Sequence, residues 1–256
     1  MKIYIVILFL IITSGINAQN NYLQDTLNIY KTKPTIRDNE NLNYKQFIAP
    51  TLMFSYGIFA LNNSYLKNYN IRIQEKIINE HTLQLNNIEL FSQFAPSALV
   101  FGLQACGVKG KNSIKDEALI YTISTGISTC IIYPLKYITN EMRPNNSSTT
   151  SFPSGHTARA FASAEFLRRE YQDISPWSGI GGYAVAIGTG VLRMYNNKHW
   201  FSDVVAGAGI GIASTTFAYW IYDKIKFRGK KNQMVAIYPI CGEYVGLGLF
   251  LSPVIL

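Results

Sequence analysis

Long uncharged stretches alternate with short charged ones along most of the chain. Five of them, 46–66, 90–108, 118–135, 174–192 and 204–222, run 18 to 21 residues and are bounded by charges. A sixth segment, 157–171, is Ala-rich with helical periodicity, but carries Arg159, Glu165, Arg168 and Arg169. Lengths above those of ordinary strands and the apolar periodicity predict six helices packed as a bundle. Gly207 and Gly211 stand four apart, as do Ser178 and Gly182, a spacing that lets helix backbones approach closely. The end of the chain differs. Segments 233–240 and 244–251 are short β-prone runs separated by a Gly-containing break, which predicts a short C-terminal β-hairpin.

The first 18 residues read as an export signal: Lys2, then an apolar run from Ile3 to Ile12, then small residues ending at Ala18. A retained membrane anchor is the alternative, although the run is short for a span of about 20 residues. Residues 19–44 form a polar leader, 45–228 the helical domain and 229–256 the β-prone tail.

Composition narrows the partner without naming it. The chain of 256 residues carries 23 Lys and Arg against 15 Asp and Glu, a net charge of +8, and is 48% hydrophobic but only 15% charged. Such a chain is not a disordered polyelectrolyte. The surplus favours an anion, which nucleic acid, lipid headgroups and phosphorylated metabolites all supply. The three cysteines form no metal-binding or redox spacing, and their odd count argues against a disulfide framework. Cys106 and Cys130 lie in apolar stretches and are expected to be buried.

Whether the apolar stretches span a membrane is contested by three features. The 157–171 helix is charged. Mean hydropathy is only +0.08. With a cleaved signal, six crossings would also place the basic cluster Lys224, Lys226, Arg228, Lys230 and Lys231 outside, against the positive-inside rule. The expectation is an exported helical bundle in the periplasm or cell envelope, associated with the membrane, with an integral membrane protein as the alternative.

Three segments concentrate chemistry-bearing residues. Lys136 and Arg143 stand seven apart at the end of the third predicted helix; Pro153-Ser154-Gly155-His156 opens the fourth; Arg193, His199 and Asp203 run from the fifth into the sixth. In an up-down bundle these helix ends meet at one end. Lys136, Arg143 and Arg193 then surround one point with cations, and guanidinium groups match phosphate oxygens bidentately. Ser154 is a natural N-cap whose following amides, on Gly155 and His156, favour an anion. His199 and Asp203, four apart, lie one turn from each other, so the carboxylate can hold one ring nitrogen and leave the other to attack. His156 remains as an acid for the leaving oxygen. Three cations about one point disfavour a metal ion, and no cofactor is needed.

This combination resembles the tripartite signature of the type 2 phosphatidic acid phosphatase and vanadium haloperoxidase superfamily: Lys-x6-Arg-Pro at 136–144, Pro-Ser-Gly-His at 153–156 and Arg-x5-His-x3-Asp at 193–203. The family's third motif usually begins Ser-Arg, but Leu192 precedes Arg193 here, removing one auxiliary hydroxyl from the phosphate. The resemblance implies an all-α, six-helix bundle and a phosphatase acting on phosphomonoesters or diphosphates, with a phosphorylated membrane or envelope lipid as substrate and no nucleic-acid partner. It implies a phosphohistidine on His199, oriented by Asp203, with His156 as acid. Lys136, Arg143, Ser154, Gly155 and Arg193 would hold phosphate. The alternatives are a soluble nonspecific acid phosphatase, a haloperoxidase, a metal-binding module or a non-enzymatic envelope protein.

Overall fold

A computed structural model describes residues 43–79, 88–229, 233–241 and 245–253. The expected signal peptide and nearly all of the polar leader lie outside the described residues. After a 3-10 turn at Tyr44–Phe47, the helices are α1 (Ile48–Asn62), α2 (Ser64–Asn79), α3 (Ile88–Ser92), α4 (Ala95–Ala105), α5 (Ile114–Thr139), α6 (Gly155–Tyr171), α7 (Trp177–Tyr195) and α8 (Phe201–Gly229). The domain is all-helical. Strands β1 (Gln233–Cys241) and β2 (Val245–Pro253) pair antiparallel, with Gln233 opposite Pro253, and residues 242–244 lie outside the described residues.

The expected count of six helices gives way to eight α-helices among the described residues. The stretch 46–66 breaks at Asn63, whose backbone is extended and whose side-chain oxygen accepts the Leu66 amide, so it starts α2 as an N-cap does. The stretch 90–108 restarts where Pro96 occupies the first turn of α4.

The charged helix α6 is the central one, with twelve of its 17 residues buried, and it packs against α4, α5, α7 and α8. Its alanines 158, 160, 162 and 164 leave room for neighbours on several sides. Its two carboxylates are satisfied inside the domain. Glu165 accepts from Arg168 and Arg169 at 2.6 Å each and from the Tyr183 hydroxyl. Glu170 accepts from Asn112 and from the Tyr219 hydroxyl.

Glycines set the closest approaches. A Cβ on Gly207 would lie 2.5 Å from the Ser154 carbonyl oxygen, and one on Gly211 would strike the Ala158 carbonyl oxygen. Gly209 meets the Pro50 carbonyl oxygen at 2.5 Å in the same way, so α8 is wedged between α6 and α1. On α7, Gly179, Gly182 and Gly190 are small residues that face α6. One apolar cluster joins Val100, Ile120, Phe166, Leu167, Tyr171 and Tyr219; another joins Ile132, Ala158 and Ile210.

Cys106 and Cys130 are free and exposed, contrary to the expected burial. Large apolar side chains are exposed elsewhere on the domain too, among them Phe59, Phe91, Tyr133, Ile138, Trp177 and Ile180. Among the described residues, two helices, α5 and the 201–226 part of α8, are long and apolar enough to cross a membrane; the apolar window of α5 is 22% buried and that of α8 67%.

Replacing Gly207 or Gly211 by Ala is expected to destabilise the domain by about 1–3 kcal/mol, because backbone of α6 must move. Gly126→Ala, at a helical position with open space, is expected to be neutral or to stabilise by up to about 1 kcal/mol. Thermal melting of the three variants checks both directions.

Candidate active site

The residues singled out from the sequence come from the ends of α5, α6, α7 and α8 and from the connections between them. Ser154 caps α6, its hydroxyl accepting the Thr157 amide, so the helix begins at Gly155. The Ser154 amide donates to the Asp203 carbonyl at 3.0 Å, tying the start of α6 to the start of α8. Lys136 reaches from the last turn of α5 to donate to the Thr150 carbonyl at 2.6 Å. The Trp200 indole donates to the Met142 carbonyl at 2.8 Å. These bonds knit the three segments together by main-chain acceptors.

A cavity of about 250 Å³ results. Lys136, Arg143, Gly155, His156, Arg193 and His199 all line it, together with Arg159, Ser128, Thr129, Ile132, Tyr133, Tyr137 and Thr150. Ser154 and Asp203 do not; both are fully buried behind the wall. The Ser154 hydroxyl is committed to Thr157.

His199 is 1% exposed, and its Nδ1 lies 3.6 Å from Asp203 Oδ2. That is too long for a direct hydrogen bond, so the expected His–carboxylate contact is one small shift from closing. Asp203 Oδ2 instead accepts from the Ser151 hydroxyl at 2.5 Å and the Trp200 amide at 2.9 Å. These two bonds fix the carboxylate in place beneath the ring.

Sequence reasoning missed several of the site's supports. Ser151 is one. Glu89 is another: from the short helix α3 it accepts from Arg193 Nη1 at 3.0 Å, in an ion pair buried on both sides. Gln74 of α2 donates to the Met194 carbonyl and to Asn197, bracing the turn that carries His199. Arg159 appeared in the sequence only as a charge on the helix. Its position three residues after His156 was the signal that it shares that face.

Burial, reinforced by the surrounding cations, holds both histidines neutral. Burial is the first cause for His156, followed by Arg193, Arg159, His199 and Lys136, and together they bring it down to about 3. Complete burial, then Lys136, Arg193 and Arg143, takes His199 well below its ordinary value. The Nε atoms of Arg143, Arg159 and Arg193 are buried without hydrogen-bond partners. A buried, cation-rich cavity with unpaired guanidinium nitrogens and neutral imidazoles is suited to a multiply charged oxyanion.

Such a site on an all-helical bundle defines a class, and comparison points the same way: residues 117–227 match the PAP2 superfamily. Among curated relatives, lipid A 1-phosphatase of Porphyromonas gingivalis is 37% identical over 139 residues, 54% of this chain. Bacitracin transport permease protein BcrC of Bacillus licheniformis is 33% identical over 88 residues, 34% of this chain. The matches span only 31% and 40% of those two relatives' lengths. A crystallised transmembrane PAP2-type phosphatidylglycerolphosphate phosphatase from Bacillus subtilis superposes with a TM-score of 0.54 at 19% identity, covering 69% of this chain and 97% of that one. That likeness shows a shared fold.

Because folding depresses His156 from 6.5 to about 3, the unfolded chain binds more protons than the native one between those values. The contribution of His156 to stability is therefore expected to fall as pH drops from about 7.5 to about 5. His156→Asn should flatten that slope, and melting temperatures of both proteins across the range check it.

Proposed function

We propose that the chain is a phosphatase that hydrolyses phosphomonoesters or diphosphates of a membrane or envelope lipid through a phosphohistidine on His199. The observation that carries this reading is the convergence of Lys136, Arg143, Arg193, His156 and His199 on one cavity. A neutral, desolvated imidazole is a competent nucleophile. In the first step a His199 ring nitrogen attacks phosphorus, a P–N bond forms and the bond to the leaving oxygen breaks. His156 gives that oxygen a proton. Water then attacks the phosphohistidine, the P–N bond breaks and inorganic phosphate leaves.

The depressed His156 fits this sequence. Cations and burial keep it neutral, and a phosphate dianion supplies the counter-charge that raises it, so its proton arrives with the substrate. Lys136, Arg143 and Arg193 hold the equatorial oxygens as charge develops, with Glu89 fixing the Arg193 fork. Ser154 acts by capping α6, which keeps the Gly155 amide at the cavity wall. Asp203 steadies the His199 imidazole as it becomes charged.

A lipid substrate is supported by the surroundings of the cavity. Tyr133 and Tyr137 line it and are also 59% and 73% exposed, next to Ile138 at 77%. An aromatic and apolar rim suits a substrate whose phosphate enters while its chains stay in the bilayer or at its surface. The name of the Porphyromonas gingivalis relative, a lipid A 1-phosphatase, supports the same substrate class. The sequence of residues 1–18 supports export to the periplasm or cell envelope.

His199→Ala is expected to lower phosphate release from a lipid phosphate in detergent by about 10⁴-fold or more while the melting temperature stays within a few degrees. Vanadate, which adopts the geometry of the transferring phosphoryl group, should compete with substrate. A folded His199→Ala protein with wild-type turnover overturns the mechanism. Faster turnover of a nitrophenyl phosphate than of any lipid phosphate points to the soluble-substrate alternative.

A further inference from the structure

The polar part of the cavity extends beyond what one phosphate requires. Arg159 follows His156 by three residues, so both side chains leave the same face of α6, and both line the cavity. Its Nε is buried with no hydrogen-bond partner. Its neighbours Arg168 and Arg169, on the same helix, are instead tied to Glu165 at 2.6 Å. Across the cavity stands Ser128 of α5, about two turns before Lys136. Ser128 is 1% exposed and its hydroxyl has no partner.

These two residues are displaced from the first layer in one direction. Helix α5 runs towards the end of the bundle where Lys136 sits, and α6 starts there and runs away from it; Ile132 packs against Ala158 between them. One turn along α6 from His156 and two turns back along α5 from Lys136 therefore lead the same way, into a second polar layer. Half-buried there, with its Nε enclosed and unpartnered, Arg159 lacks the acceptor that an enclosed guanidinium nitrogen usually has. In the mechanism above the leaving oxygen is at His156, so the atoms bonded beyond it come next to Arg159.

Resting on the phosphatase reading, we infer that Arg159 and Ser128 form a second anion subsite, which takes the inner phosphate of a diphosphate while the outer one is transferred to His199. The P–O bond broken is then the bridging one. The leaving group is a monophosphate, and His156 protonates its oxygen. Arg159 binds the phosphate that stays on the leaving group, and Ser128 donates a hydrogen bond to it. The subsite sets preference between diphosphate and monophosphate substrates.

The full chain in detergent tests this with farnesyl diphosphate and farnesyl phosphate, which differ by one phosphate. Arg159→Gln should lower the ratio of kcat/KM, diphosphate over monophosphate, by about tenfold or more and chiefly through KM; Ser128→Ala should lower it about threefold. Arg159→Lys should restore part of the ratio, since a charge remains without the planar fork. If Arg159→Gln fails to fold, the Lys and Ser128→Ala variants decide the matter by the same ratio. Equal losses on both substrates overturn the subsite and leave the phosphatase reading standing. Calorimetry with methylenediphosphonate and inorganic phosphate reads binding without turnover. Wild type should bind the diphosphonate about tenfold tighter than phosphate, and Arg159→Gln should close that gap. Release of phosphate from neither substrate by wild type overturns the phosphatase reading, whereas equal affinity for the two anions overturns the subsite.

Discussion

The site depends on how closely α6 and α8 can approach where both begin. Gly207 lets α8 lie against the Ser154 carbonyl, and the Ser154 amide in turn donates to the Asp203 carbonyl. The two contacts fix the first turn of α6, with Gly155 and His156, against the first turn of α8, with Asp203 one turn past His199. A side chain at 207 would wedge these turns apart, and the loss would reach the site before the core. The remaining supports attach to that frame: the Lys136 ammonium on the Thr150 carbonyl and the Trp200 indole on the Met142 carbonyl.

Around that frame the electrostatics are deliberately unbalanced. Lys136, Arg143, Arg159 and Arg193 line a cavity of about 250 Å³, and Glu89 and Asp203 are the carboxylates bonded at its edge. Burying cations without counter-charge is costly in a protein interior. The arrangement is stable because the histidines stay neutral and because two of the cations keep partners, Lys136 on the Thr150 carbonyl and Arg193 on Glu89. The deficit of negative charge that remains is the driving force for binding an oxyanion. The same deficit explains why the general acid is neutral until the substrate arrives.

How much of this was legible in the sequence follows from where each piece of information resides. Lys136, Arg143, His156, Arg193 and His199 stood out because their types and spacings carry chemistry, and because helix ends in a bundle must meet. Glu89, Ser151 and Gln74 did not stand out. Each is an ordinary polar residue whose role exists only in its partner, which for Glu89 and Arg193 is 104 positions away. The helix count failed at Asn63, where a single side chain that accepts the Leu66 amide outweighed an uncharged run. The thiols of Cys106 and Cys130 were misjudged for a related reason: an apolar stretch reads alike whether it faces the core or the outside.

That last ambiguity also bears on the low mean hydropathy, which at first counted against a lipid-facing protein. In this domain many polar groups are turned inward and paired there. Ser124 pairs with Thr215 and Tyr121 with Ser163, both deep in the bundle, while Glu165 and Glu170 sit buried among their donors. Large apolar side chains are turned outward instead, among them Phe59 at 72%, Phe91 at 78% and Trp177 at 73% exposure. Mean hydropathy counts both sets without regard to direction. A helix such as α6 that carries Glu165, Arg168 and Arg169 places little net charge at its surface, because the pairing takes place within the domain. The charge count that argued against a bilayer therefore measured the interior of the bundle, and the outward face, being apolar and aromatic, is compatible with lipid.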